Sequence, residues 1–86
     1  MYKKIKELPV TGKIIVPNRE ASEALQNELF KKGYDWFCQD NKQIRHTDKF
    51  AIVFEELDMS ICYTDGFNKY DKHIDKFKFN KFFKPV

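Results

Sequence analysis

Glu23-Ala24-Leu25-Gln26-Asn27-Glu28-Leu29-Phe30-Lys31-Lys32-Gly33-Tyr34-Asp35-Trp36 holds the end of a helix, its stop signal and the start of a strand. Ala21, Ala24, Leu25 and Leu29 recur at i, i+3, i+4 and i+8, which gathers them on one side of a helix. Lys31 and Lys32 fall at its carbonyl end, where the macrodipole favours cations. Gly33 fits the position just past a helix, where the backbone turns left-handed and glycine alone does so freely. Tyr34, Trp36 and Cys38 then alternate with Asp35, Phe37 and Gln39, the period of a strand.

Working back from this junction, Asn18 is placed to cap the helix, with Glu20 and Glu23 in the first turns. Residues 11–16, Thr-Gly-Lys-Ile-Ile-Val, have the β-branched content of a first strand, and Pro17 ends it. Working forward, Asp40-Asn41-Lys42 supplies a turn, with room for a short returning strand at residues 43–46. Phe50-Ala51-Ile52-Val53-Phe54 reads as a buried strand, residues 55–58 as a turn, and residues 59–64 as its hairpin partner. Asp65-Gly66 breaks the run. Phe67, Tyr70 and Ile74 suggest a short helix or packed loop, and residues 76–80 a last strand at a sheet edge. The expected fold is a single α+β domain over residues 1–86. It has a small, mostly antiparallel sheet of about four to five strands with one main amphipathic helix on one face.

The chain has 86 residues, near the lower end of what folds without staples, but it carries nine Phe, four Tyr and one Trp. Large aromatic side chains let a short chain build a core from few residues. The net charge of +3 is unevenly spread. Residues 67–86 hold six lysines against Asp71 and Asp75, a sum of +4, which leaves −1 for everything before them. Any surface that attracts anions is therefore expected in the last quarter of the chain. Cys38 and Cys62 stand 24 positions apart, without a CxxC pair or a histidine at ligand spacing, so no metal site or cofactor is expected. Two thiols in a reducing compartment is the default reading. No stretch has the apolar length of a signal peptide core or a membrane span, so no membrane partner is expected either.

At Leu29-Phe30-Lys31-Lys32-Gly33-Tyr34-Asp35-Trp36 the chain resembles a group of small, mostly uncharacterised bacteriophage accessory proteins. Those proteins share a leading strand, a helix ending in Leu-Phe-x-x-Gly-Tyr-x-Trp, and a hairpin. Arg45-His46-Thr47-Asp48, Ile61-Cys62-Tyr63, Phe67, His73 and Lys78-Phe79 continue the likeness. The resemblance implies a phage gene product acting in the host cytoplasm by stoichiometric binding. Such proteins inhibit a host protein, coat a nucleic acid, or sequester a nucleotide signal of host defence. Interference with host defence is the form favoured here, the partner being a host defence protein or a cyclic or phosphorylated nucleotide.

Catalysis has little to build on. A hydrolase needs a nucleophile with its base and an orienting group, and Cys38, Cys62, His46 and His73 form no such signature. The three glycines make no phosphate-cradling loop. The expectation is a protein that is not an enzyme. Two binding sets are legible instead. Arg45, His46, Thr47 and Lys42 offer a cationic fork and donors for a phosphate or nucleotide, with Trp36 and Tyr34 as stacking rings if exposed. Lys76, Lys78, Lys81 and Lys84, interleaved with phenylalanines, compose the alternative, a single-stranded nucleic-acid surface. Alternation points Phe77 and Phe79 inward and the lysines to water, and leaves Phe82 and Phe83 for a second copy, through a self-associating edge strand.

Overall fold

Asn18 starts the one long helix by its side chain: Oδ1 accepts a hydrogen bond from the Ala21 amide at 2.8 Å, and its own backbone is extended. The computed structural model describes residues 1–37, 43–44, 47–48, 51–64 and 74–86. Helix α1 spans Arg19–Lys31 and stops where expected, with Lys32 as the cap and Gly33 at φ +99°. Ala21, Leu25 and Leu29 turn into the core, joined by Ser22 and Gln26. These two polar residues bury together, the Gln26 amide donating to Ser22 Oγ at 3.0 Å, which offsets the cost of removing both from water.

The strands in chain order are β1 (Tyr2–Lys4), β2 (Gly12–Ile15), β3 (Asp35–Trp36), β4 (Ala51–Glu55), β5 (Ser60–Thr64), β6 (Lys76–Lys78) and β7 (Phe83–Pro85). Five form one sheet in the order β3-β5-β4-β2-β6, and β1 pairs with β7 as a separate ribbon. The β1–β7, β2–β4 and β4–β5 pairings are antiparallel, whereas β2–β6 and β3–β5 are parallel. The α+β class, the five-stranded sheet and its one main helix are thus as read from the sequence, but that sheet is mixed, with two antiparallel and two parallel pairings. No helix among the described residues is long and apolar enough to cross a membrane.

Pairing fixes which side chains share a face. Gly12, Ile14, Ile52, Phe54, Ile61, Trp36 and Phe77 lie on the side that meets α1, and most of them are buried in one cluster with Leu25 and Leu29. Gly12 is tightly placed: a Cβ there would come within 3.0 Å of the Phe77 ring. The opposite face carries Lys13, Ile15, Lys76 and Lys78. Tyr34 closes one end of the core, its ring edge-on to Phe54 with centroids 5.8 Å apart.

The C-terminal quarter departs from the expected single strand. β6 ends at Lys78, and Phe79–Lys81 form a 3₁₀ turn before β7. That turn resets the alternation, so Phe79, Phe82 and Phe83 all point inward, at 4%, 2% and 2% exposure. Phe82 and Phe83 therefore fill this chain's own core and are not left for a second copy. The edge position of β6 is as expected. Gln43 and Ile44 belong to no regular element. The rest of the returning strand at 43–46 and the helix or loop suggested by Phe67 and Tyr70 lie outside the described residues.

Candidate functional site

The β2–β6 pairing is parallel, so both strands run out at the same end of the sheet, and the β1–β7 ribbon sits beside that end. The gap between them is an open groove of about 410 Å³, lined by Tyr2, Ile15, Pro17, Lys78, Phe79, Asn80, Phe83 and Pro85. Its floor is rigid. Phe79 and Phe83 stack nearly parallel with centroids 4.5 Å apart, and Tyr2 meets Phe79 edge-on at 4.9 Å. Such ring pairs contribute about 0.5–1.5 kcal/mol each beyond their area. Asn18 Nδ2 donates to the Tyr2 hydroxyl oxygen at 3.1 Å, so the residue that caps the helix also positions one wall. Ile15, 42% exposed, presents apolar surface to water at the opposite wall.

Cations border this groove. Lys78 stands on the rim, and Lys76 shares its sheet face. On the outer side of the ribbon Lys3 and Lys84 are direct cross-strand partners. Like charges directly opposite each other are destabilising. All four of Lys76, Lys78, Lys81 and Lys84 are exposed. Lys81 lies over the Phe77 ring at 4.8 Å and the Phe82 ring at 5.8 Å, a cation–π contact that holds its ammonium against the sheet edge. Among the described residues, Lys3, Lys78 and Lys84 form no ion pair with a carboxylate.

The first set of candidate residues fares differently. Tyr34 and Trp36 are each 3% exposed, so neither ring is open for a base to stack on. Their polar atoms turn to the protein itself: Trp36 Nε1 donates to the Gln43 carbonyl at 2.9 Å, and the Tyr34 hydroxyl donates to the Val10 carbonyl. Burial pushes the Tyr34 phenol up from its usual pKa, with Glu56 and Glu55 adding to the shift. Thr47 is half-buried. Lys42, Arg45 and His46 lie outside the described residues, as does Cys38, while Cys62 is exposed. Among the described residues, no group of three or more His, Cys, Asp or Glu side chains is arranged to hold a metal ion.

Sequence reading located the lysines but missed the groove. Its lining comes from separate segments around residues 2, 15–17, 78–80 and 83–85, and no local pattern joins them. The one usable signal was the Phe-rich closing segment, whose rings supply the floor. Compared with known proteins, the chain matches no family model, no curated protein and no solved structure.

Proposed function

We propose that this protein is a phage-encoded binding protein, not an enzyme, which interferes with a host defence system by gripping a host protein. The observation that carries this reading is the pairing of an apolar groove with a rim lysine, Lys78, that forms no ion pair among the described residues. Exposed apolar concavities rimmed by charge mark interaction sites, because water gains from their covering and the charge selects what covers them. The phage setting, and action in the host cytoplasm, come from the resemblance at residues 29–36. Sequestration of a phosphorylated nucleotide through Arg45, His46, Thr47 and Lys42 is less favoured, because the covered rings of Tyr34 and Trp36 remove the stacking surface from that set.

Affinity capture from host lysate tests the reading. One host protein should be retained at a stoichiometric ratio, and the double charge reversal Lys78→Glu with Lys84→Glu should release it. Capture unaffected by that double variant would remove this surface from the function.

A second reading has one observation in its favour: Lys76, Lys78, Lys81 and Lys84 all reach solvent, as a nucleic-acid surface requires. It loses the stacking component, since the neighbouring phenylalanines turn inward. Binding of an oligonucleotide through these four lysines would weaken with salt at a log–log slope of about −3. A slope near zero excludes it.

A further inference from the structure

We infer that the groove between the end of the main sheet and the β1–β7 ribbon receives a single apolar side chain projecting from an acidic segment of the partner protein. This rests on the binding reading above and names what is gripped. The cavity of about 410 Å³ lies at the low end of the range for ligand pockets, about 300–1,000 Å³. Its floor is already assembled in the free protein, because Phe79 and Phe83 stack and Tyr2 is tied to Asn18. A guest side chain therefore meets a preformed surface and need not order it, which lowers the cost of binding.

Shape and charge choose among occupants. Above the covered rings, Ile15, Pro17 and Pro85 give the groove exposed apolar walls, a concave shape that takes a projecting side chain and not a flat lipid surface. Among the described residues, Lys78 and Asn80 are the groove's polar side chains apart from the Tyr2 hydroxyl, which Asn18 already engages. That is too little to read the edge of a nucleobase. A second copy of the chain would bring lysines against lysines. An acidic segment meets Lys78 at the rim, on the sheet face that also carries Lys76. The apolar anchor supplies affinity and the flanking carboxylates supply orientation, so both halves are needed.

The test uses the full chain, isotope-labelled for nuclear magnetic resonance, and a capped seven-residue peptide: one phenylalanine flanked on each side by three acidic residues. Signals of Tyr2, Ile15 and Phe79 should move on titration. Replacing the central phenylalanine by alanine should weaken binding about ten-fold or more, the value of burying one large apolar side chain. Lysine flanks in place of the acidic ones should abolish it. Ile15→Glu and Lys78→Glu, both at exposed positions, should each remove the response. If Ile15→Glu fails to fold, Lys78→Glu still tests the charge and leaves every apolar wall in place. The inference is overturned if nothing moves, if the alanine or lysine peptides bind as well, or if dodecanoate moves the same signals and the acidic peptide does not. Host-protein capture that survives both variants sinks the groove but spares the binding reading. A peptide that seats in the groove while no host protein is ever captured does the reverse.

Discussion

Lys3 and Lys4 are neighbours in one strand, yet they belong to opposite electrostatic regimes. Lys4 turns towards the helix, where its ammonium lies 2.8 Å from Glu7 and 3.5 Å from Glu28. Glu7 also takes Lys32 at 2.8 Å, and Lys31 and Arg19 find Glu28 and Glu23. Lys3 turns outward, across from Lys84. Cations beside the helix are matched to carboxylates within the chain, whereas Lys3, Lys78 and Lys84 form no ion pair among the described residues. Paired and unpaired lysines are thus distinguished by their surroundings and not by number, and a net charge of +3 conceals the division.

The comparison breaks most severely if the core beneath the cationic side is removed. Phe82 is fully buried, and its carbonyl accepts from the Ile5 amide at 2.7 Å. Phe82→Ala should cost about 3–5 kcal/mol, read from the denaturant midpoint. A loss under about 1 kcal/mol would mean that the closing segment is not docked as described. The helix side depends on its cap: Asn18→Ala should cost about 1 kcal/mol by the same measurement. It should also alter the environment of the Tyr2 ring, visible in its resonances, because one side chain serves both ends.

Charge reversal at Lys84 sharpens the contrast by its sign. Lys84→Glu turns a like pair with Lys3 into an opposite one, and should raise stability by about 0.2–1 kcal/mol while weakening partner binding. Stability and binding moving in opposite directions is the signature of residues kept for function. A Lys84→Glu protein that is less stable would show that Lys84 has a structural partner after all.

The smallest effect separates the two sides by pH. Glu7 is pulled from an ordinary 4.5 to about 2, first by its hydrogen bond with Lys32 and then by that with Lys4. A depressed carboxyl favours the folded state above the unfolded pKa. That contribution is complete above about pH 4.5 and is lost as pH falls towards about 2. Glu7→Gln should therefore flatten the acid limb of a thermal-melting profile in that window, modestly because the site is exposed and salt-screened. Lysine substitutions near the groove should leave that limb unchanged.

Local chemistry made much of this legible. The cap at Asn18, the stop at Gly33 and the apolar stripe of α1 are written in short-range residue order, as are the hairpin strands β4 and β5. Three features were not. β1 and β7 have three residues each, too few for a period, and each becomes a strand only by meeting the other from the far end of the chain. The inward turn of both Phe82 and Phe83 violates alternation, and only the 3₁₀ turn before them explains it. Trp36 reads as core first and as a stacking ring only if exposed, and the sequence does not decide between them because burial depends on what packs above it. The groove depends on all these long-range events, so its residues carry no shared motif.

Strand β6 completes the sheet beside β2, one of its central strands, and β7 is the strand that pairs with β1 among the described residues; both come from residues 76–86. During synthesis, therefore, the edge of β2 that will receive β6 stays open, and β1 stays unpaired, until residues 76–86 emerge. Closing contacts across some eighty positions is slow, since loop closure must precede any gain from pairing. The nascent domain should consequently remain sensitive to proteolysis until residues 76–86 have emerged, and then gain its protection in one late step.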